Sequence, residues 1–166
     1  MRGPGHWSQA GFTLIETVIA SAMTVLVLAS ALGLFLAYQT AHHDLGVRME
    51  ANRRASMALS RMVYGVGGTN AGLRAAGDVA LTPGGDGWTL QVQDLDGNGA
   101  GTFRYAASTS NLWFAPPGGD ETVFAQSVAA TALVESNALH LSVRAGVQRG
   151  RFAATQELNT AIRWRN

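Results

Sequence analysis

The 166-residue sequence has no cysteine, no lysine and little charge of any kind. Without cysteine there is no disulfide framework and no thiolate-bound zinc module. All twelve basic residues are arginine. Charged residues make up 14% of the chain, against about 25% in an average soluble domain. The formal net charge of +1 excludes a polycationic nucleic-acid binder. The 47% hydrophobic content excludes disorder driven by charge repulsion. The length allows one domain with a sizeable core, or a smaller domain and an anchor.

The shortage of charge is local first. From Thr17 to His43 there is no Asp, Glu or Arg, and Val18 to Tyr38 is almost wholly apolar. About 25 helical residues reach roughly 37 Å, enough to cross a hydrocarbon layer of about 30 Å. Small residues recur through the run (Ala20, Ser21, Ala22, Ala29, Ser30, Ala31, Gly33), as they do where membrane helices pack closely. A secretory signal peptide offers another reading, with an A-x-A-like site at Ala29-Ser30-Ala31. Against it, the apolar run continues through Leu32, Leu34, Phe35 and Leu36, and a carboxylate, Glu16, opens the run. An acid near a bilayer core costs about 2.5–3.5 kcal/mol on insertion scales, so its presence points to function.

The residues around that acid are Gly11-Phe12-Thr13-Leu14-Ile15-Glu16. They resemble the processing site of type IV pilin-like proteins, the type IV pilins and the pseudopilins of type II secretion. The resemblance implies a leader over residues 1–11, cut by a prepilin peptidase between Gly11 and Phe12 on the cytoplasmic face. It implies N-methylation of the new terminus at Phe12, and a role for Glu16 in guiding subunit register during assembly. The hydrophobic segment would be kept. Loss of the leader removes Arg2 and leaves eleven arginines against eleven acids. The spacing is physically sensible: Glu16 lies one helical turn beyond the new ammonium, the helix dipole favours an acid there, and a buried acid needs a cationic partner. The stretch from Met49 to Ala76, with its Asn52–Met62 core, resembles the helix of minor pilins and J-type minor pseudopilins.

Beyond Tyr38 the sequence turns polar but keeps a helical pattern. Asp44 to Tyr64 has no proline and only Gly46. Ala51, Ala55, Ala58 (or Leu59) and Met62 form one apolar face. Gly65, Gly67 and Gly68 predict the helix end. From Val79 onward the pattern is short strands and turns. Trp88–Gln93 and Thr102–Tyr105 predict a hairpin about a turn over Asp94–Gly101. Asn111–Phe114, Asn137–Arg144 and Glu157–Trp164 predict further strands. The expected fold is α+β and pilin-like, a long N-terminal helix packed on a C-terminal antiparallel sheet. Its parts are the leader (1–11), a transmembrane half-helix (12–41), an amphipathic half-helix (42–66) and a periplasmic β-rich domain (67–166).

Other constellations are weaker. Asp94, Asp96 and Asn98, followed by Gly99, match the front half of a calcium loop, but Tyr105 stands where a bidentate Glu belongs. The same residues suit a plain hairpin tip. His42-His43-Asp44 read as interfacial residues. His140 and Ser142 share a strand face, with no acid spaced to orient the histidine. The Gly-rich stretches at 65–68 and 84–87 lack lysine and the phosphate-loop pattern. Trp88, Trp113 and Trp164 suit core or subunit packing.

The expected function is that of a structural minor subunit of a type IV pilus or a type II secretion pseudopilus, not an enzyme. No cofactor is expected beyond the possible calcium. The expected partners are the prepilin peptidase, other pilin or pseudopilin subunits and inner-membrane lipid, with no direct nucleic-acid contact. The expected location is the inner membrane, crossed once, with the C-terminal domain in the periplasm. The alternative is an exported, membrane-anchored or secreted β-domain that binds a ligand or calcium.

Overall fold

A long helix, α1, runs from Leu14 to Tyr64. The computed structural model describes residues 13–67, 72–135 and 138–163. The chain divides into two units, residues 1–42 and 43–166. In the first unit every described residue is exposed, including Leu14, Val18, Leu26, Leu34 and Phe35.

In the second unit α1 buries one face, formed by Val47, Ala51, Ala55, Ala58 and Met62. The expected 3–4 spacing is therefore the packed face. Three of its five side chains are methyl groups, which lets the helix backbone approach the sheets closely. The helix stops at Gly65, whose N–H still reaches the Arg61 carbonyl at 2.9 Å. Its φ of +105° turns the chain away, a conformation that costs glycine little.

Among the described residues eight strands follow: β1 (Asp78–Gly84), β2 (Gly87–Gln93), β3 (Gly99–Ala106), β4 (Asn111–Ala115), β5 (Thr122–Gln126), β6 (Val128–Glu135), β7 (Ala138–Arg149) and β8 (Phe152–Arg163). Each pairs antiparallel with its sequence neighbour within a sheet. They form two sheets, β1–β5 and β6–β8. The α+β architecture is thus as expected, with two sheets in place of one. The chain passes between sheets at Ser127, a left-handed residue with φ of 56°.

The core lies between helix and sheets. Alternation along the strands supplies Leu90, Val92, Phe103, Leu112 and Phe114 from the first sheet. Leu139, Leu141, Val143 and Ala145 of β7 supply the second. The buried Trp88 indole N–H donates to the Ala130 carbonyl at 2.9 Å, tying the sheets together. The Arg61 guanidinium donates to the Phe124 carbonyl at 2.7 Å, tying the helix to β5. The expected strand at Asn137–Arg144 is β7, described from Ala138 and extending to Arg149, and Asn137 lies outside the described residues. The expected strand at Glu157–Trp164 begins at Phe152, and Trp164 lies outside the described residues.

Candidate functional site

Two places carry the residues singled out by sequence: the start of α1 and the β2–β3 hairpin tip. At the first, Gly11 and Phe12 lie outside the described residues. Glu16 sits in the first turn of α1. Its Oε2 accepts the Thr13 backbone N–H at 3.3 Å, while the Thr13 hydroxyl oxygen accepts the Glu16 N–H at 3.3 Å. Thr13 Oγ1 also lies 3.3 Å from Glu16 Oε2. This is a reciprocal capping box, which satisfies two helix-end donors at once. The Thr-x-x-Glu spacing that signals it stands in the sequence at 13–16. Glu16 therefore has partners within its own chain, and a cation from elsewhere would exchange with them.

From Val18 to Tyr38 the helix has one chemical property, an apolar surface on all sides. Its polar side chains turn inward on the backbone: Ser21 donates to the Val18 carbonyl, Thr24 to Ala20, Ser30 to Leu26 and Thr40 to Leu36, at 2.8–2.9 Å. This removes hydroxyl donors that lipid could not satisfy. The helix is long and apolar enough to cross a membrane.

At the hairpin tip, Asp94 Oδ1 accepts the backbone N–H groups of Asp96 (2.9 Å) and Asn98 (2.8 Å). The Asp94 N–H donates to the Asn98 carbonyl at 2.8 Å. The Asn98 amide, and then Asp96 and Gly97, hold the Asp94 carboxyl below its ordinary range. So Asp94 closes the turn on itself, and a cation at Oδ1 would compete with two amides. Among the described residues no three His, Asp or Glu side chains come together as a metal site. The candidate donors Asp94, Asp96 and Asn98 stand together at this tip, where Asp94 Oδ1 already accepts two amides.

His140 and Ser142 do share an exposed face of β7, but their partners differ. The Ser142 hydroxyl donates to Glu157 at 2.7 Å, and His140 lies 4.0 Å from Glu135. That places an acid near the histidine that spacing did not suggest, and it leaves the hydroxyl bound to a carboxylate. On the outer face of the first sheet, Arg104 binds Glu121 through two bonds of 2.6 Å and lies 4.2 Å over the Trp113 ring. An open groove of about 590 Å³ runs between α1 and β5, lined by Arg54, Met57, Val123 and Phe124 among others.

No protein-family model, curated protein or solved structure matches the chain.

Proposed function

We propose that the chain is a type IV pilin-like structural subunit, a minor pilin or minor pseudopilin, rather than an enzyme. The observation that supports this most is the coincidence of the Gly11–Glu16 motif with a helix apolar on every side that continues into a folded β-rich unit. A helix of that kind has no favourable place in water; lipid or the helices of neighbouring subunits would cover it.

In this reading the prepilin peptidase removes residues 1–11 and Phe12 is methylated. The helix waits in the inner membrane with the second unit in the periplasm, and subunits then pack helix to helix. Dispersion and close approach at small residues would provide the packing energy. Glu16 is held by Thr13 before assembly and trades that cap for a neighbour's ammonium during it. A buried carboxylate left without either partner would cost several kcal/mol, of order 3–5, so the exchange selects one register.

The mass of the intact mature protein tests the processing. Loss of residues 1–11 with one added methyl is expected. A chain beginning at Leu32 would instead make this a secreted β-domain, the competing reading. Topology follows from reporter fusions at the C-terminus, with periplasmic activity expected. For register, Glu16→Ala should leave insertion and cleavage near normal while fibre incorporation falls at least tenfold. Normal incorporation of that variant would refute the role given to Glu16.

A further inference from the structure

The β7–β8 hairpin reaches past its own sheet. Strand β6 pairs with β7 only as far as Ala145, whereas β7 and β8 stay paired to Arg149 and Phe152. The overhang does not hang free. Val147, Phe152 and Ala154 pack on Val47 and Ala51 of α1 in a small cluster separate from the main core. The Phe152 ring stacks on His43, with centroids 5.8 Å apart and planes at 23°. The hairpin tip is therefore fastened to the first turn of the helix in the second unit.

His43 is five residues beyond Tyr38, where the apolar run ends. Five residues of chain span at most about 18 Å extended and about 7.5 Å as helix. The headgroup layer outside the hydrocarbon is about 5–7 Å deep on each side. If the apolar run lies in a membrane, the tip is at or next to that layer.

The groups gathered there are basic. Arg149 and Arg151 flank the turn and are exposed, and Arg151 lies 5.1 Å over the Phe152 ring. Arg48 is exposed on the same part of the helix, paired to Asp44 at 2.9 Å. Arg54 is paired to Glu50 at 2.9 Å. Helix residues 43–54 and hairpin residues 147–155 together hold five arginines (48, 53, 54, 149 and 151) against Asp44 and Glu50. The rest of the second unit holds more acids than arginines. A polar groove of about 310 Å³ opens between Arg48 and residues Ala153–Gln156 of β8, an edge strand that no further strand pairs with among the described residues.

We propose that this end of the second unit is a docking surface for anionic phospholipid headgroups of the membrane that holds α1. Arg149 and Arg151 bind phosphate, Phe152 sits at the interfacial level, and the groove beside Arg48 receives part of a headgroup. The argument rests on the membrane reading above. Arginine suits the task because its planar fork pairs with phosphate through two bonds.

The absence of native cysteine makes a clean test possible in the full chain. A fluorophore is placed at Gln148→Cys, exposed beside the tip and outside the groove, or at Leu95→Cys, beside Gly77 on the β2–β3 turn. Each protein is reconstituted at one chain per nanodisc with headgroup spin-labelled lipid. Discs contain phosphatidylcholine alone or mixed with phosphatidylglycerol. Quenching at position 148 is expected to exceed that at 95 severalfold, and only with phosphatidylglycerol present. Replacing Arg149 and Arg151 with Gln should lower tip occupancy about fivefold per arginine, from ~1 kcal/mol each near an anionic surface. Equal quenching in neutral discs, or none lost in the double variant, overturns the proposal. So does quenching that inorganic phosphate abolishes, which marks a free-anion site. Quenching that needs two chains per disc marks a subunit interface and also overturns it. Failure of the chain to remain with the disc at all would overturn the membrane reading itself, a result distinct from an embedded chain with an unquenched tip.

Discussion

The two stretches of α1 use alanine and other apolar residues to opposite ends. In residues 14–38 the large apolar side chains are 54–85% exposed. In residues 47–62 the buried face is chiefly alanine, at 0–1% exposure. The first stretch places bulk on all sides, and none of it is buried among the described residues. The second places methyl groups on one side and charge on the others, so sheet and water each receive a matching face. Hydrophobicity alone would rank the first as the better core helix. Angular distribution decides otherwise.

The sharpest way to break this contrast is to put the same acid into both stretches. Ala55→Asp would bury a carboxylate beside the main core without a partner. It should cost at least about 3 kcal/mol and unfold the second unit. Ala29→Asp should leave that unit's urea midpoint unchanged while lowering membrane insertion by a factor that corresponds to about 3 kcal/mol. Proteolysis and carbonate extraction of the two variants read the two effects separately. Equal loss of folding in both would mean that the stretches are one structural unit.

A smaller effect is expected where the second stretch ends. A methyl group on Gly72 would lie 2.5–2.7 Å from backbone atoms of Tyr64, Val63 and Gly65. None of those atoms can move without shifting the helix end. Gly72→Ala should therefore destabilise the second unit by about 1–3 kcal/mol and leave insertion unaffected. Thermal unfolding of the full chain in detergent checks the first part, and carbonate extraction the second.

Some charges of the second unit sit in pairs at its surface, unlike the lone acid of the first. The clearest pair is Arg104–Glu121, each side chain 39% exposed. The Arg104 hydrogen bonds hold the Glu121 carboxyl below its ordinary range. A lowered folded pKa gives stability that is present above the ordinary glutamate range and fades as pH falls through the folded value. Solvent screening limits it to about 0.5–1 kcal/mol. Glu121→Gln should remove that increment at neutral pH and flatten the acid limb of the stability curve. An unchanged acid limb would mean that the pair contributes nothing.

Much of this was legible in the sequence, for physical reasons that also mark the limit. The helix and its buried face follow from 3–4 spacing, because a periodicity reports a direction. Strands β2, β3, β4, β7 and β8 follow from alternation. Strand β6, with Ala129, Ala130 and Ala132, is poor in the β-branched and aromatic residues that signal a strand, so it carried no pattern. The division into two sheets was not legible either. Alternation says which side chains face inward but not which strand is the neighbour. The Thr13–Glu16 cap stood in the sequence as Thr-x-x-Glu and was masked by the larger meaning of Glu16. The fastening of Phe152 to His43 joins residues far apart in the chain, and no local pattern could report it.

The smallest effect concerns Asp94, where sequence left a calcium loop and a plain turn both open. The turn reading needs Asp94 Oδ1 to accept two amides, as it does. Asp94→Asn keeps one acceptor oxygen in place and loses the charge, so the thermal midpoint should fall only slightly. Asp94→Ala loses the acceptor and should lower it further, since the two amides and the reverse bend then lack a closing group. Calcium should move neither the wild-type midpoint nor that of either variant. An upward shift on adding calcium to wild type, absent in Asp94→Asn, would show that the carboxylate exchanges its amides for a cation. The tip would then be a binding site that happens to be closed by its own backbone in the form described.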